Sequence, residues 1–138
     1  MPTRLLLIAL AGALGTLARV GIYAVVARVL AGTHGASLPI ATLCVNTLGS
    51  LAFGLIWPWA ETTGGAARMS VETRSVLLAG FMGAFTTFST LAFETGEQMR
   101  RGAYGLAFMN MIANAVLGVG AFMLGVWLSR ELAGAGTR

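Results

Sequence analysis

Residues 83–94, with the sequence GAFTTFSTLAFE, decide the fold of this chain. All but the final Glu94 belong to a stretch without charge from Ser75 to Phe93, yet they include four hydroxyl side chains and three phenylalanines. Glycine and β-branched threonine both form helices less readily than alanine or leucine. Composition slightly favours a continuous helix whose hydroxyls bond back to the preceding turn. The alternative is a helix broken near its middle, which persists in a membrane only where it is buried or lines a cavity.

The rest of the composition indicates a membrane protein. Hydrophobic residues make up 57% of the 138 residues and charged residues only 10%, with a mean hydropathy of +0.80. A soluble domain has about 25% charged residues. Apolar runs long enough to cross a bilayer predict spans at about 5–29, 36–60, 74–98 and 102–130. We therefore expect one all-α domain, 1–138, with four transmembrane helices. A cleaved secretory signal at residues 4–14 is a competing interpretation, but it would leave nothing soluble to secrete.

The distribution of arginine between the two sides of the membrane is nearly even. One side carries five arginines, and the other carries three, or four if Arg19 reaches that surface. This is a weak positive-inside bias. It is either noise in a small count or a sign that the chain inserts in both orientations and forms an antiparallel dimer. A bundle of only four helices leaves little room for an internal polar pathway, so we expect an oligomer in either case.

Several polar side chains lie at membrane depth, where they are costly and point to function. Arg19 lies in the first span and either snorkels to the interface or serves a site. Thr42, Asn46 and Ser50 are spaced four residues apart and share one face of the second helix. Asn110 and Asn114 repeat this spacing in the fourth helix. A single asparagine often only joins two helices, but three of them favour a polar or ligand-lined path.

The groups that are missing from the sequence restrict the function. The sequence contains no nucleotide-binding loop, no catalytic triad motif and no metal-ligand cluster, so we do not expect an enzyme. The scattered arginines form no basic stripe, which argues against nucleic-acid binding. Every carboxylate is expected at or beyond a span end, whereas proton-coupled transporters normally need an intramembrane acid. These carboxylates are Glu61, Glu72, Glu94, Glu97 and Glu131. A passive channel for something small, or a structural membrane subunit, remains.

Three motifs together resemble the Fluc (CrcB) family of fluoride channels. The first is Gly80-Phe-Met-Gly-Ala-Phe-Thr-Thr-Phe-Ser-Thr followed by Glu94 in the third span. The second is the glycine-rich stretch from Gly12 to Arg19, and the third is Thr42-Leu-Cys-Val-Asn-Thr-Leu-Gly. The resemblance covers all four spans in matching order and length.

The resemblance implies an antiparallel, dual-topology homodimer with two fluoride pores. It also implies a structural Na⁺ at the dimer centre, held by backbone carbonyls that correspond to Gly83 and Thr86. In that family the pore contacts include the asparagine of the second span, here Asn46, and a phenylalanine of the third, here Phe88. The positive ring edge of phenylalanine suits an anion. No organic cofactor is implied.

This chain departs from the family pattern at one expected pore contact. A second phenylalanine is usual three residues after the first, where this chain has Leu91. In the fourth helix, Gly118 and Phe122 stand where relatives often have serine and threonine. We predict an anion path from the second, third and fourth spans and structural or electrostatic roles for Arg19 and Glu94. The path residues are Thr42, Asn46, Phe88, Ser89, Thr90, Leu91, Asn110 and Asn114.

The resemblance thus implies a passive, fluoride-selective channel that exports cytoplasmic fluoride through the bacterial inner membrane. One alternative is a proton-coupled small multidrug-type transporter, which the missing carboxylate in the first span argues against. A second alternative is a non-conducting partner subunit of a heterodimeric fluoride channel, because Leu91 replaces an expected pore residue.

Overall fold

The computed structural model describes residues 1–32, 39–60, 62–63, 66–67 and 69–135. Two helices come first, α1 at Pro2–Val29 and α2 at Ile40–Ala60. Two short antiparallel strands follow, β1 at Thr62–Thr63 and β2 at Ala66–Ala67. The third span consists of α3 at Val71–Arg74, a π-helical segment at Ser75–Met82, α4 at Gly83–Phe85 and α5 at Phe88–Arg100. The last helix is α6 at Tyr104–Ala135.

Four of these segments are long and apolar enough to cross a membrane. They are Pro2–Val29, Ile40–Ala60, Val71–Arg100 and Tyr104–Leu132. Most of their large apolar side chains face outward, as expected where lipid rather than water surrounds the helices. The prediction of an all-α, four-helix membrane protein is confirmed.

The break in the third span is also confirmed, and it lies at Thr86–Thr87. Both residues have extended backbones, with φ −78° and ψ 159° at Thr86 and φ −150° and ψ 114° at Thr87. The Thr87 hydroxyl then caps α5 by accepting a hydrogen bond of 3.2 Å from the Thr90 amide. The continuous-helix alternative is wrong, although the Thr86 hydroxyl does bond back to the Met82 carbonyl at 3.0 Å.

The break lets the third span change its packing partner. Before it, the π-helical segment and α4 pack mainly on α1, and after it α5 packs on α6. Gly15 of α1 lies against the carbonyl of Phe81, so close that a methyl group would not fit. The wide turns of the π-helical segment, which the sequence did not predict, belong to this half of the span.

Helices α2 and α6 form the most extensive contact and run in the same direction. Gly54 lies against the backbone of Phe122, and Gly125 lies against the backbone of Leu51. Small residues allow this approach, which replaces the hydrophobic drive that lipid removes. The two helices thereby form a rigid wall, and α5 covers only one end of it.

Candidate functional site

Asn46 of α2 bridges the helix break. Its side-chain oxygen accepts the Thr87 amide hydrogen at 2.9 Å, and its amide nitrogen donates to the Thr87 carbonyl at 3.2 Å. Both backbone polar groups of Thr87, which is 6% exposed, are therefore satisfied by one side chain. The Thr87 amide would otherwise continue the helical ladder to the Gly83 carbonyl. Asn46 therefore stabilises the break itself.

The same amide group starts a chain of buried hydrogen bonds into α6 and α5. Asn46 donates to the side-chain oxygen of Asn114 at 2.9 Å, and Asn114 donates to the side-chain oxygen of Asn110 at 3.1 Å. Asn110 in turn donates to the Thr95 hydroxyl at 3.0 Å. These hydrogen bonds join α2, α6 and α5 to one another, and the prediction that the three asparagines line a polar path stays a prediction.

A cluster of three hydroxyls begins α5. The Thr87 oxygen lies 3.2 Å from the Ser89 oxygen and 2.9 Å from the Thr90 oxygen. Ser89 is exposed and Thr90 is half-buried, so the cluster reaches from the buried break to the outer face of α5. The predicted path residues Ser89 and Thr90 therefore belong to the first turn after the break.

Thr42 belongs to a different polar group from Asn46. Its hydroxyl lies 3.0 Å from the Tyr23 hydroxyl and donates to Glu94 Oε1 at 2.7 Å. Thr42 is fully buried, so its side chain faces Tyr23 and Glu94 and does not share an open path with Asn46 and Ser50. Its predicted role in the anion path stays a prediction.

Glu94 lies on α5, six residues before that helix ends at Arg100. Helix α5 continues past the apolar run to Arg100, which places Glu94 inside the third candidate span. Its Oε2 atom is buried and has no hydrogen-bond partner among the residues that the structure describes. The end of the hydrophobic run at Phe93 is therefore not the end of the helix, in line with the predicted span of 74–98.

An open groove of about 810 Å³ runs along α2, α5 and α6 past the break. Asn46, Asn114 and Thr87 form a polar part of its wall, and among the residues that the structure describes none that lines the groove carries a charge. Phe88 and Leu91 also line it, and Phe88 is 80% exposed. The groove therefore brings together five of the predicted site residues, and most of the remaining wall is apolar. These five are Asn46, Thr86, Phe88, Leu91 and Asn114.

The predicted cation ligands lie at the end of α4. The last carbonyls of a helix have no intrahelical partner, and Gly83 belongs to this final turn. Thr86 follows in the extended break, and Gly83 is exposed. No group of three or more His, Cys, Asp or Glu that could hold a metal exists in the described part of the chain. Arg19 is half-buried on α1 and is not part of the groove lining.

Sequence reasoning did not identify three polar residues of this site. Thr87 is the residue that Asn46 holds, Thr95 ends the asparagine chain, and Tyr23 contacts Thr42. The only signal for Tyr23 was a hydroxyl inside the mostly apolar first span. Nothing in the sequence distinguished Thr87 and Thr95 from neighbouring threonines, because their roles depend on asparagines that are distant in sequence.

Comparison with known proteins gives a consistent family assignment. The family model described as "CrcB-like protein, Camphor Resistance (CrcB)" matches residues 6–126. A protein of Solidesulfovibrio magneticus named "Fluoride-specific ion channel FluC" is 45% identical over 125 residues, which are 89% of this chain and 93% of the relative. A protein of the same name from Nitratidesulfovibrio vulgaris is 41% identical over 92% of this chain and 97% of the relative. Another from Nitrosococcus oceani is 42% identical over 89% of this chain and 93% of the relative. The motifs of all three spans lie within the matched range, and this chain belongs to the CrcB-like family.

Proposed function

We propose that this chain forms a passive, fluoride-selective channel that exports cytoplasmic fluoride. The observation that carries the proposal is the uncharged groove beside a helix break, whose polar wall consists of amide and hydroxyl groups. The names of the relatives, each a fluoride-specific ion channel, support the same substrate. A channel accounts for this wall better than an enzyme does, because the wall offers neither a nucleophile paired with a base nor a carboxylate.

The chemistry of the wall suits a small, strongly hydrated anion. Amide and hydroxyl donors replace part of the hydration shell without a fixed positive charge that would hold the anion too tightly to leave. Phe88 adds a ring whose edge carries partial positive charge. Fluoride enters cells as its neutral acid and is trapped as the anion, so the membrane potential alone drives it out through an uncoupled path.

We further propose an antiparallel dimer in the bacterial inner membrane. The groove is open along one side, and Phe88, with 80% of its surface exposed, stands at that opening. A second copy packed on this side would close the groove. Two copies related by a two-fold axis would then form two equivalent pores. The nearly even distribution of arginine supports insertion in both orientations.

A structural Na⁺ fits the break between α4 and α5. Carbonyl oxygens at unwound helix ends are suitable ligands for Na⁺, and the last carbonyls of α4 lack an intrahelical partner. Gly83 and Thr86 would hold the ion through their backbone oxygens. The ion would offset the carbonyl dipoles there and contribute a positive charge near the anion path.

The direct test is fluoride efflux from liposomes that contain only this purified chain, followed with a fluoride electrode under a potassium diffusion potential. We expect fluoride but not chloride to leave. Phe88→Ala should slow efflux strongly, and Phe93→Ala should not, because Phe93 is also exposed on α5 but lies outside the groove lining. Asn46→Asp should also slow it, since a carboxylate cannot donate to the Thr87 carbonyl. Absent efflux, or equal rates for all variants, would refute the homodimeric channel.

Two other functions each have one supporting observation. Leu91 lines the groove where a phenylalanine was expected, which favours a partner subunit that conducts only with a second, homologous chain. Efflux that appears only after such a chain is added would establish this role. The buried Glu94 carboxylate inside the third span favours a proton-coupled transporter. Uptake of a lipophilic cation driven by a pH gradient would support that function.

A further inference from the structure

An aromatic row extends from one end of the groove to a surface arginine. The rings of Phe122 and Phe53 are 6.2 Å apart at their centroids with a tilt of 56°, and those of Phe53 and Trp57 are 6.1 Å apart. The guanidinium of Arg74 lies over the Trp57 ring, 6.0 Å from its centroid. We call Phe122, Phe53 and Trp57 the aromatic row.

The aromatic row is continuous with the groove. Phe53 and Phe122 both line it, on the α2–α6 wall that α5 leaves uncovered beyond the break. Asn46, Ser50, Phe53 and Trp57 follow one another along one side of α2, so the row begins about two helical turns after the amide that holds the break. The wall therefore changes along its length from amides to aromatic rings and ends at a cation.

This sequence of groups suits an anion better than it suits a cation or a neutral solute. Ring edges carry partial positive charge, and an exposed arginine at the mouth of a low-dielectric cleft raises the local concentration of anions. Arg74 is exposed, and its contact with the Trp57 face fixes the position of that positive charge near the end of the row.

We propose that the anion passes between the groove and the solution along this row, with the rings of Phe53 and Phe122 as contact groups and Arg74 as the charge that attracts it. This rests on the proposed fluoride conduction. Leu91 supplies no ring to the groove, and the aromatic contacts of the row lie on α2 and α6 instead. They are at the end of the groove opposite to Thr95.

The test compares fluoride efflux rates of the purified chain and its variants in liposomes. Phe53→Leu and Phe122→Leu keep apolar volume but remove the ring, and each should slow efflux about two- to tenfold, the size of typical ring interactions. Phe122→Tyr retains the ring and should slow efflux less than Phe122→Leu does. Phe108→Leu is the matched control, since Phe108 is exposed on α6 outside the groove lining.

A second measurement tests the charge at the mouth. Arg74→Gln should slow efflux about twofold at low ionic strength and have little effect at high ionic strength, because salt screens an exposed charge. Arg28→Gln, an exposed arginine near the end of α1, should change neither rate. Size-exclusion chromatography of each variant shows that it folds, and Phe53→Leu carries the test if Phe122→Leu does not assemble.

The outcomes separate this inference from the proposed function. No efflux by the unmodified chain refutes fluoride conduction and this inference together. Normal efflux by the unmodified chain with equal rates for both leucine variants refutes the aromatic row alone. Faster efflux in those variants also refutes it, because the rings would then obstruct the path and not serve it.

Discussion

Asn46→Ala should destabilise the folded chain more than any other single truncation in the groove wall. The change removes three hydrogen bonds, two to the Thr87 backbone and one to Asn114. Thr87 and Asn114 are only 6% and 7% exposed, so their polar groups have little access to other partners. Hydrogen bonds between membrane helices contribute about 0.6–1.7 kcal/mol each, and three of them give a loss of about 2–5 kcal/mol.

The measurement is the free energy of unfolding in mixed detergent micelles, followed by tryptophan fluorescence or circular dichroism. Thr47→Val is the matched control on the next residue of the same helix. The Thr47 hydroxyl is buried and makes no hydrogen bond to the part of the chain that the structure describes. Replacing an unpaired buried hydroxyl by a methyl group is neutral or stabilising.

The two variants therefore separate a specific clamp from a general intolerance of α2 to substitution. A loss for Asn46→Ala no larger than that for Thr47→Val would refute the assignment of Asn46 as the residue that stabilises the break. A loss of the expected size should be accompanied by slower fluoride efflux in liposomes, because the Thr87 backbone would no longer be held against the groove.

Three further predictions concern packing, the buried carboxylate and the cation. Gly54→Ala should cost roughly 1–3 kcal/mol of unfolding free energy because its methyl meets the Phe122 carbonyl. Gly21→Ala, which has open space around it, should cost nothing, and equal losses would contradict the tight α2–α6 contact. Glu94→Ala should cost about 1 kcal/mol in the same measurement by removing the acceptor of the Thr42 hydroxyl, while Glu94→Gln retains an acceptor and should cost less. Exchange of Na⁺ for a large organic cation should lower the thermal midpoint of the purified protein, measured by light scattering, and an unchanged midpoint would count against the carbonyl site.

The four spans were predictable because they depend on hydrophobicity summed over about 20 residues, which a sequence displays directly. The break was not predictable from composition alone. Gly83, Thr86 and Thr87 lower the helix preference of the segment, but a continuous helix satisfies backbone groups equally well. Asn46 decides between the two by bonding both backbone groups of Thr87, and that partner is 41 residues away. Tertiary contacts thus override a weak local preference.

The same reasoning applies to the polar groups. The predicted third span ended at about residue 98 and α5 ends at Arg100, but the sequence did not show that Glu94 accepts a hydrogen bond from Thr42 of α2. The spacing of Thr42, Asn46 and Ser50 predicted that they share one side of α2, but it did not show which of them a neighbouring helix would bury. Thr42 is buried beside Tyr23 and Glu94, whereas Asn46 and Ser50 line the groove.

The hydroxyl cluster after the break has one hydroxyl hydrogen more than its internal contacts use, whichever way these hydrogens point. Thr87, Ser89 and Thr90 carry one hydroxyl hydrogen each, and the two contacts between their oxygens use two of these hydrogens. The Thr87 oxygen also accepts the Thr90 amide, which fills its remaining acceptor capacity. One hydroxyl hydrogen therefore has no partner within the cluster. Because hydroxyls rotate freely, this hydrogen can change its direction without breaking the cap of α5, whereas both Asn46 amide hydrogens are engaged, one by the Thr87 carbonyl and the other by Asn114.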